Sequence, residues 1–90
     1  MNNILLNNIV NMLQDCVDML YQENLSSAYK MLAVVYPKME ELITGMEQTH
    51  QKEIKEKLQL VLDAMEDGDN ILIADTIQYE LIEMLSAFDN

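Results

Sequence analysis

A chain of 90 residues with a net charge of −11, half of whose residues are hydrophobic, is typical of one small acidic globular domain. The hydrophobic content argues against intrinsic disorder, and the charge opposes binding to nucleic acid phosphates or anionic membrane surfaces. A core of this size is marginal, so an oligomer or a bound partner would stabilise it.

The single cysteine, Cys16, excludes an internal disulfide and favours a reducing compartment. The first ten residues, MNNILLNNIV, have no basic region, so we expect no signal peptide. No apolar run approaches the roughly 18 residues that cross a bilayer. These features together favour a cytoplasmic protein without a membrane partner.

The first predicted helix covers residues 3–23 and is unusually apolar. Its hydrophobic residues occupy roughly 200° of a helical wheel, whereas an ordinary surface helix needs about 100° or somewhat more. Leu5, Ile9 and Met12 lie within this wide arc. A small domain has little interior to cover such a helix, so part of the arc is expected to meet another chain.

The second predicted helix follows a turn at residues 23–27, where Asn24, Ser26 and Ser27 are all suitable N-caps. Pro37 lies inside the apolar pattern of this helix. Because the apolar residues before and after Pro37 keep the same face, we predict one helix, bent at Pro37, with the proline itself on the solvent side.

The second predicted turn lies between residues 44 and 51. Gly45 could end helix two and Thr49 could cap helix three, although one continuous helix through this stretch is the alternative. His50 is expected in an exposed polar turn. In helix three, Glu53 and Lys57 have the spacing of a favourable i,i+4 ion pair.

The third predicted turn is the clearest, because Gly68 suits a left-handed C-cap and Asp69 suits an N-cap. Helix four then continues to about Ala87 with an apolar arc as wide as that of helix one. Short connections make consecutive helices antiparallel neighbours. The predicted fold is therefore all-α, an antiparallel up-down four-helix bundle in one domain, residues 1–90.

The sequence contains no motif for catalysis, a cofactor or a metal. The acidic turn around Gly68 lacks the ligand at the twelfth position of a calcium loop, so it is interpreted as a helix–helix turn. One histidine and one cysteine cannot complete a zinc site, and Cys16 is expected to be a buried small hydrophobe. We therefore expect a protein that is not an enzyme and needs no cofactor.

Asp75 interrupts the apolar arc of helix four. A carboxylate in such surroundings must be paired or hydrogen-bonded, because an isolated buried charge is costly. Its partner could be a tyrosine hydroxyl or a lysine of the same chain, or a polar group of a second chain. The eight methionines are compatible with an adaptable core or with a groove for an amphipathic helix.

The segment MEDGDNILIADTIQYELIEML resembles a C-terminal helix of small, uncharacterised, all-helical bacterial proteins. These proteins have an acidic or Lys/Asp turn, a Leu/Ile–Ala–Asp core and a Tyr–Glu–Leu sequence. In size, acidity and bundle form the chain is also similar to the helical export chaperones of flagellar systems. The matching residues of this chain are Asp69, Leu72, Ala74, Asp75, Tyr79, Glu80 and Leu81.

These observations predict a non-enzymatic protein–protein interaction module, similar to a chaperone or adaptor, that dimerises or binds an amphipathic partner helix. The alternative is an acidic inhibitor that masks the basic surface of a nucleic-acid-binding protein. The residues expected to contact the partner are Leu5, Ile9 and Met12 on helix one and Leu72, Asp75 and Tyr79 on helix four.

Overall fold

The computed structural model describes residues 3–88, and nearly all of them are helical. Helix α1 spans Asn3–Tyr21, α2 spans Leu25–Thr44 and α3 spans Gln48–Asp67. The fourth helix consists of α4 (Asn70–Asp75), a π-helical segment (Thr76–Ile82) and α5 (Glu83–Ala87), joined without a break. With no strand among the described residues, the predicted four-helix bundle is confirmed.

The core is built from apolar side chains of all four helices. Six of these residues belong to α1, whose wide apolar arc is covered mainly by α2 and by the fourth helix. The accessible surface, 5379 Å², is close to the roughly 5400 Å² that a compact monomer of this mass exposes. The chain thus covers much of the apolar surface of α1 that a second chain was expected to cover.

The first turn, between α1 and α2, is a short turn closed by backbone hydrogen bonds. Glu23 has a positive φ of 60°, and the Asn24 amide donates a 2.8 Å hydrogen bond to the Met19 carbonyl. Asn24 occupies the N-cap position of α2, but its side chain makes no capping hydrogen bond. The end of α1 is therefore closed by backbone hydrogen bonds of the turn.

Helices α2 and α3 are separate, which settles the alternative of one continuous helix. Gly45 occupies the C-cap position of α2 as predicted, but α3 begins before Thr49, and its N-cap position belongs to Glu47. The prediction that Thr49 caps α3 was therefore wrong. The helix begins earlier because the Gln51 amide and side chain donate to the carbonyls of Glu47 and Met46.

The third turn has the predicted geometry. Gly68 is left-handed, with a φ of 71°, and ends α3. The Asp69 carboxylate accepts a 3.0 Å hydrogen bond from the Leu72 amide, so Asp69 caps α4. Pro37 lies inside the single helix α2 and is exposed, as expected, whereas the bend at Pro37 stays a prediction.

The π-helical segment explains how the fourth helix faces the core. Ile73, Ile77, Leu81 and Leu85 recur every four residues, and all are fully buried. In an α-helix each four-residue step advances the side chain about 40° beyond a full circle, so three steps would turn this row away by about 120°. The wider π turn offsets that drift and holds the row against the core.

Two further contacts differ from expectation. Lys57 places its Nζ atom 2.7 Å from Oε2 of Glu80 on the fourth helix, and among the described residues it forms no ion pair with Glu53. His50 lies within α3, half-buried, and its ring centroid is 4.6 Å from that of Phe88.

None of the helices within residues 3–88 is long and apolar enough to cross a membrane.

Candidate partner-binding site

The four helices do not close the bundle equally on all sides. Helix α1 packs on α2 and on the fourth helix, and α3 packs mainly on the fourth helix. Helices α2 and α3 approach each other less closely, so a cleft of about 200 Å³ remains between them. This α2–α3 groove is lined by Leu13, Tyr29, Leu32, Ala33, Val35, Tyr36, Met39, Leu58, Val61, Leu62, Met65, Ile77 and Leu81.

The floor of the α2–α3 groove is part of the core. Leu13 of α1 and Met39 of α2 contribute to it, together with Ile77 and Leu81 of the π-helical segment. The π-helical segment thus supplies two of the apolar side chains beneath the groove. Because these residues are held by the packing of the whole bundle, the floor is formed before any ligand arrives.

The rim of the groove is apolar and accessible. Tyr36 of α2 and Leu62 of α3 are 36 % and 37 % exposed. Near the third turn, the Tyr29 hydroxyl donates a 3.0 Å hydrogen bond to Oδ1 of Asn70, which fixes the position of that ring. Beyond Tyr36 and Leu58 lies a more polar hollow, to which Glu40 also contributes. The groove is therefore apolar along its floor and rim, with a more polar hollow next to it.

The groove has none of the charged groups that acid–base chemistry would need. Its lining residues are apolar apart from the two tyrosine hydroxyls. Cys16 is buried outside it, and burial raises the pKa of its thiol to about 11, so the thiol is protonated at neutral pH. No cluster of His, Cys, Asp and Glu within residues 3–88 could hold a metal ion.

The residues predicted from the sequence to contact a partner lie elsewhere, and none of the six lines the groove. Ile9 is 0 % exposed, so its side chain packs within the chain and offers no surface to a partner. Leu5 and Met12 are half-buried against the core. Leu72 and Tyr79 are exposed on the fourth helix.

Asp75 is paired within the chain, which was one of the two alternatives considered. Its Oδ1 atom accepts a 2.6 Å hydrogen bond from the hydroxyl of Tyr21, the last residue of α1. This hydrogen bond is the main cause that raises the pKa of Tyr21 to about 12, and partial desolvation and the charge of Asp75 add to it.

The groove residues have the helical spacing that is typical of a core. In the sequence, Tyr29, Leu32 and Tyr36 share the apolar face of the second helix, and Leu62 and Met65 share that of the third. The apolar faces were recognised, but a helical wheel gives no distance between two helices. The methionine content was compatible with a groove but did not place it between α2 and α3.

A family model described as a domain of unknown function (DUF8042) matches residues 3–90. No curated protein and no solved structure matches the chain.

Proposed function

The chain belongs to the DUF8042 family, a domain family of unknown function, and from the geometry of the α2–α3 groove we propose that it is a non-enzymatic protein–protein interaction module. In this proposal the α2–α3 groove holds one amphipathic helix of a partner protein, as an adaptor or chaperone would. The observation that supports it most directly is an apolar cleft of about 200 Å³ with an accessible rim at Tyr36 and Leu62.

A helix is the ligand that such a groove fits best. A groove between two helices accepts the apolar face of a third, and its anchors recur at i, i+3, i+4 and i+7. The groove offers tyrosine rings, which provide large contact areas at a small entropic cost, and methionine, which adapts to irregular partners. A preformed floor lowers the cost of binding because few side chains must become ordered.

The net charge indicates what the outer face of the partner helix carries. A chain with a charge of −11 attracts basic ligands and repels acidic ones before contact is made. Glu40 lies in the polar hollow that continues the groove, although Lys55 lies there as well. The favoured partner is therefore a helix that is apolar on one face and basic on the other.

The alternative, an acidic inhibitor of a nucleic-acid-binding protein, draws support from the same charge. Acidic residues occur in all four helices and in all three turns. Because the charge is distributed in this way, it does not single out one docking face as the groove does. Two copies of a chain with a charge of −11 repel each other, which favours a basic partner helix over self-association.

The proposal can be tested with helical peptides. A displayed library of about 20-residue amphipathic helices with leucine at i, i+3, i+4 and i+7 is selected against the protein, and the best binder is titrated by methyl NMR. We expect the perturbed methyl groups to be those of the groove, including Met65 and Ile77. Perturbation centred on Leu72 and the surface of the fourth helix would contradict the proposal.

Two leucines of α3 provide a matched pair of variants. Leu62 lines the groove, whereas Leu60 is 47 % exposed outside it. Leu62→Lys is expected to weaken binding of the peptide about tenfold or more, and Leu60→Lys about twofold or less. Light scattering of the unmodified chain and of both variants tests for self-association. If the chain is a dimer that Leu62→Lys dissociates, the groove binds a second copy of the chain and not a partner helix.

A further inference from the structure

We infer that Tyr21, Asp75 and Tyr79 form a second contact site, which binds an arginine side chain of a partner protein. The three residues lie where the end of α1 meets the junction of α4 and the π-helical segment. None of them lines the α2–α3 groove. The site is therefore separate from the groove, and either one can fail without the other.

The carboxylate of Asp75 is held in one orientation, and within residues 3–88 only one of its two oxygen atoms accepts a hydrogen bond. The Tyr21 hydroxyl donates a 2.6 Å hydrogen bond to Oδ1 and fixes the orientation of the group. Within residues 3–88 no hydrogen bond reaches Oδ2, and no lysine forms an ion pair with Asp75. A carboxylate can accept several hydrogen bonds, so Oδ2 remains available to an external donor.

Tyr79 provides an aromatic surface beside this carboxylate. It is 61 % exposed and follows Asp75 by four residues, a spacing that places two side chains on the same side of a helix. Tyr79 adds the smallest of the contributions that raise the pKa of Tyr21, because two nearby phenolates would repel each other. Both rings are accessible, because Tyr21 is 45 % exposed as well.

The backbone at this point is unusual. Asp75 is the last α-helical residue before the π-helical segment, and Tyr79 lies in the middle of that segment. Short π-helical insertions are rare and occur frequently at functional sites. Here the insertion keeps the buried row on the core while Tyr79 remains on the surface.

A guanidinium group matches both parts of the site. It donates in-plane hydrogen bonds to a carboxylate, and its planar, weakly hydrated cation stacks on a tyrosine ring. A lysine ammonium is more strongly hydrated and gains less from the ring. The charge of −11 favours cationic over anionic ligands at this surface.

The test uses N-acetyl-arginine amide as the probe in an NMR titration of the full chain. The analogue with citrulline has a similar shape without the charge, and the lysine analogue has the charge without the planar group. We expect saturable shifts at residues 21, 75 and 79 with arginine, and binding weaker by about fivefold or more with citrulline. Lysine is expected to bind about threefold more weakly than arginine.

Substitutions then distinguish binding at Tyr21, Asp75 and Tyr79 from general attraction to the negative net charge. Asp75→Asn retains an acceptor for the Tyr21 hydroxyl and is expected to lower the affinity about fivefold, and Tyr79→Ala about threefold. The controls are Glu53→Gln, which removes one exposed charge from α3, and Tyr36→Ala, which removes an accessible tyrosine from the groove. Both controls should bind as the unmodified chain does.

Three outcomes would overturn the inference. Equal losses for Glu53→Gln and Asp75→Asn would show attraction to the net charge alone. Shifts centred on the α2–α3 groove would show that the probe binds there. Equal binding of arginine and lysine would remove the role of the planar group. Thermal unfolding of each variant verifies that a loss of binding is not a loss of fold.

Discussion

The Tyr21 hydroxyl donates its hydrogen to Oδ1 of Asp75 across 2.6 Å, and this contact joins two residues that are 54 positions apart in the sequence. It connects the end of α1 to the end of α4 at the exposed side of the bundle. The hydrogen bond depends on a protonated tyrosine, because a phenolate would repel the carboxylate. The contact therefore makes stability depend on pH in the alkaline range.

The first prediction concerns that dependence. The pKa of Tyr21 is about 12 in the folded chain against an ordinary value of 10.0. A pKa raised by folding contributes stability that is complete below about pH 10 and is lost as the pH rises toward 12. We expect the free energy of unfolding to fall more steeply across this range in the unmodified chain than in Tyr21→Phe.

Urea unfolding between about pH 8 and pH 11 measures this difference. The pKa of Cys16 is also raised, from 9.0 to about 11, so both proteins should carry Cys16→Ala to remove the contribution of the thiol. Tyr36→Phe, which removes a hydroxyl at the groove instead, is the control. If the free energy of unfolding falls equally with pH in Tyr21→Phe and in the protein that retains Tyr21, the hydrogen bond does not contribute to stability in solution.

The second prediction concerns the thiol of Cys16. This side chain is fully buried between α1 and α2, and its Sγ lies 3.6 Å from the Ala28 carbonyl oxygen. A disulfide reagent needs an accessible thiolate, so labelling at about pH 8 requires the two helices to separate. We expect labelling at least about a thousandfold slower in buffer than in denaturant. Fast labelling in buffer would place Cys16 outside the core.

Local signals in the sequence were sufficient for the helices and the third turn, and they showed that Asp75 needs a partner without identifying which one. The left-handed backbone of Gly68 ends α3, and the carboxylate of Asp69 caps the start of α4. A carboxylate on an apolar face needs a partner whatever the tertiary structure is. These features depend on few residues, and the structure retains them.

Features that depend on distances between helices were missed. A helical wheel assumes about 100° per residue, so it could not show that the π turn realigns Ile73, Ile77, Leu81 and Leu85. The separation of α2 from α3, and with it the groove, depends on the packing of all four helices. His50 was misplaced because its contact, Phe88, is remote in the sequence.

The third prediction compares the two glycines. Gly68 has a φ of 71°, which alanine adopts only with strain, although a Cβ atom there would meet nothing within 4 Å. Gly68→Ala is expected to lower the free energy of unfolding by about 1 kcal/mol. Gly45 has a φ of −89°, so Gly45→Ala should be neutral or stabilising by up to about 1 kcal/mol. Equal effects in urea unfolding would contradict the left-handed cap.

The last prediction tests the π-helical segment by removing one residue from it. Deletion of Gln78 changes the spacing along the buried row from steps of four, four and four to steps of four, three and four. The new spacing is that of an ordinary core-facing α-helix. The row Ile73, Ile77, Leu81 and Leu85 should therefore stay on the core with the π turn replaced by an α turn.

Deletion of Gln59 in the regular helix α3 is the matched control. It removes the same residue type, but every later residue of α3 rotates by about 100°, which takes Val61 and Ala64 out of the core. We expect the Gln78 deletion to cost less than about 2 kcal/mol and to unfold cooperatively, and the Gln59 deletion to cost more than about 4 kcal/mol. Circular dichroism and urea unfolding measure both, and equal damage would show that the π turn does not absorb an extra residue.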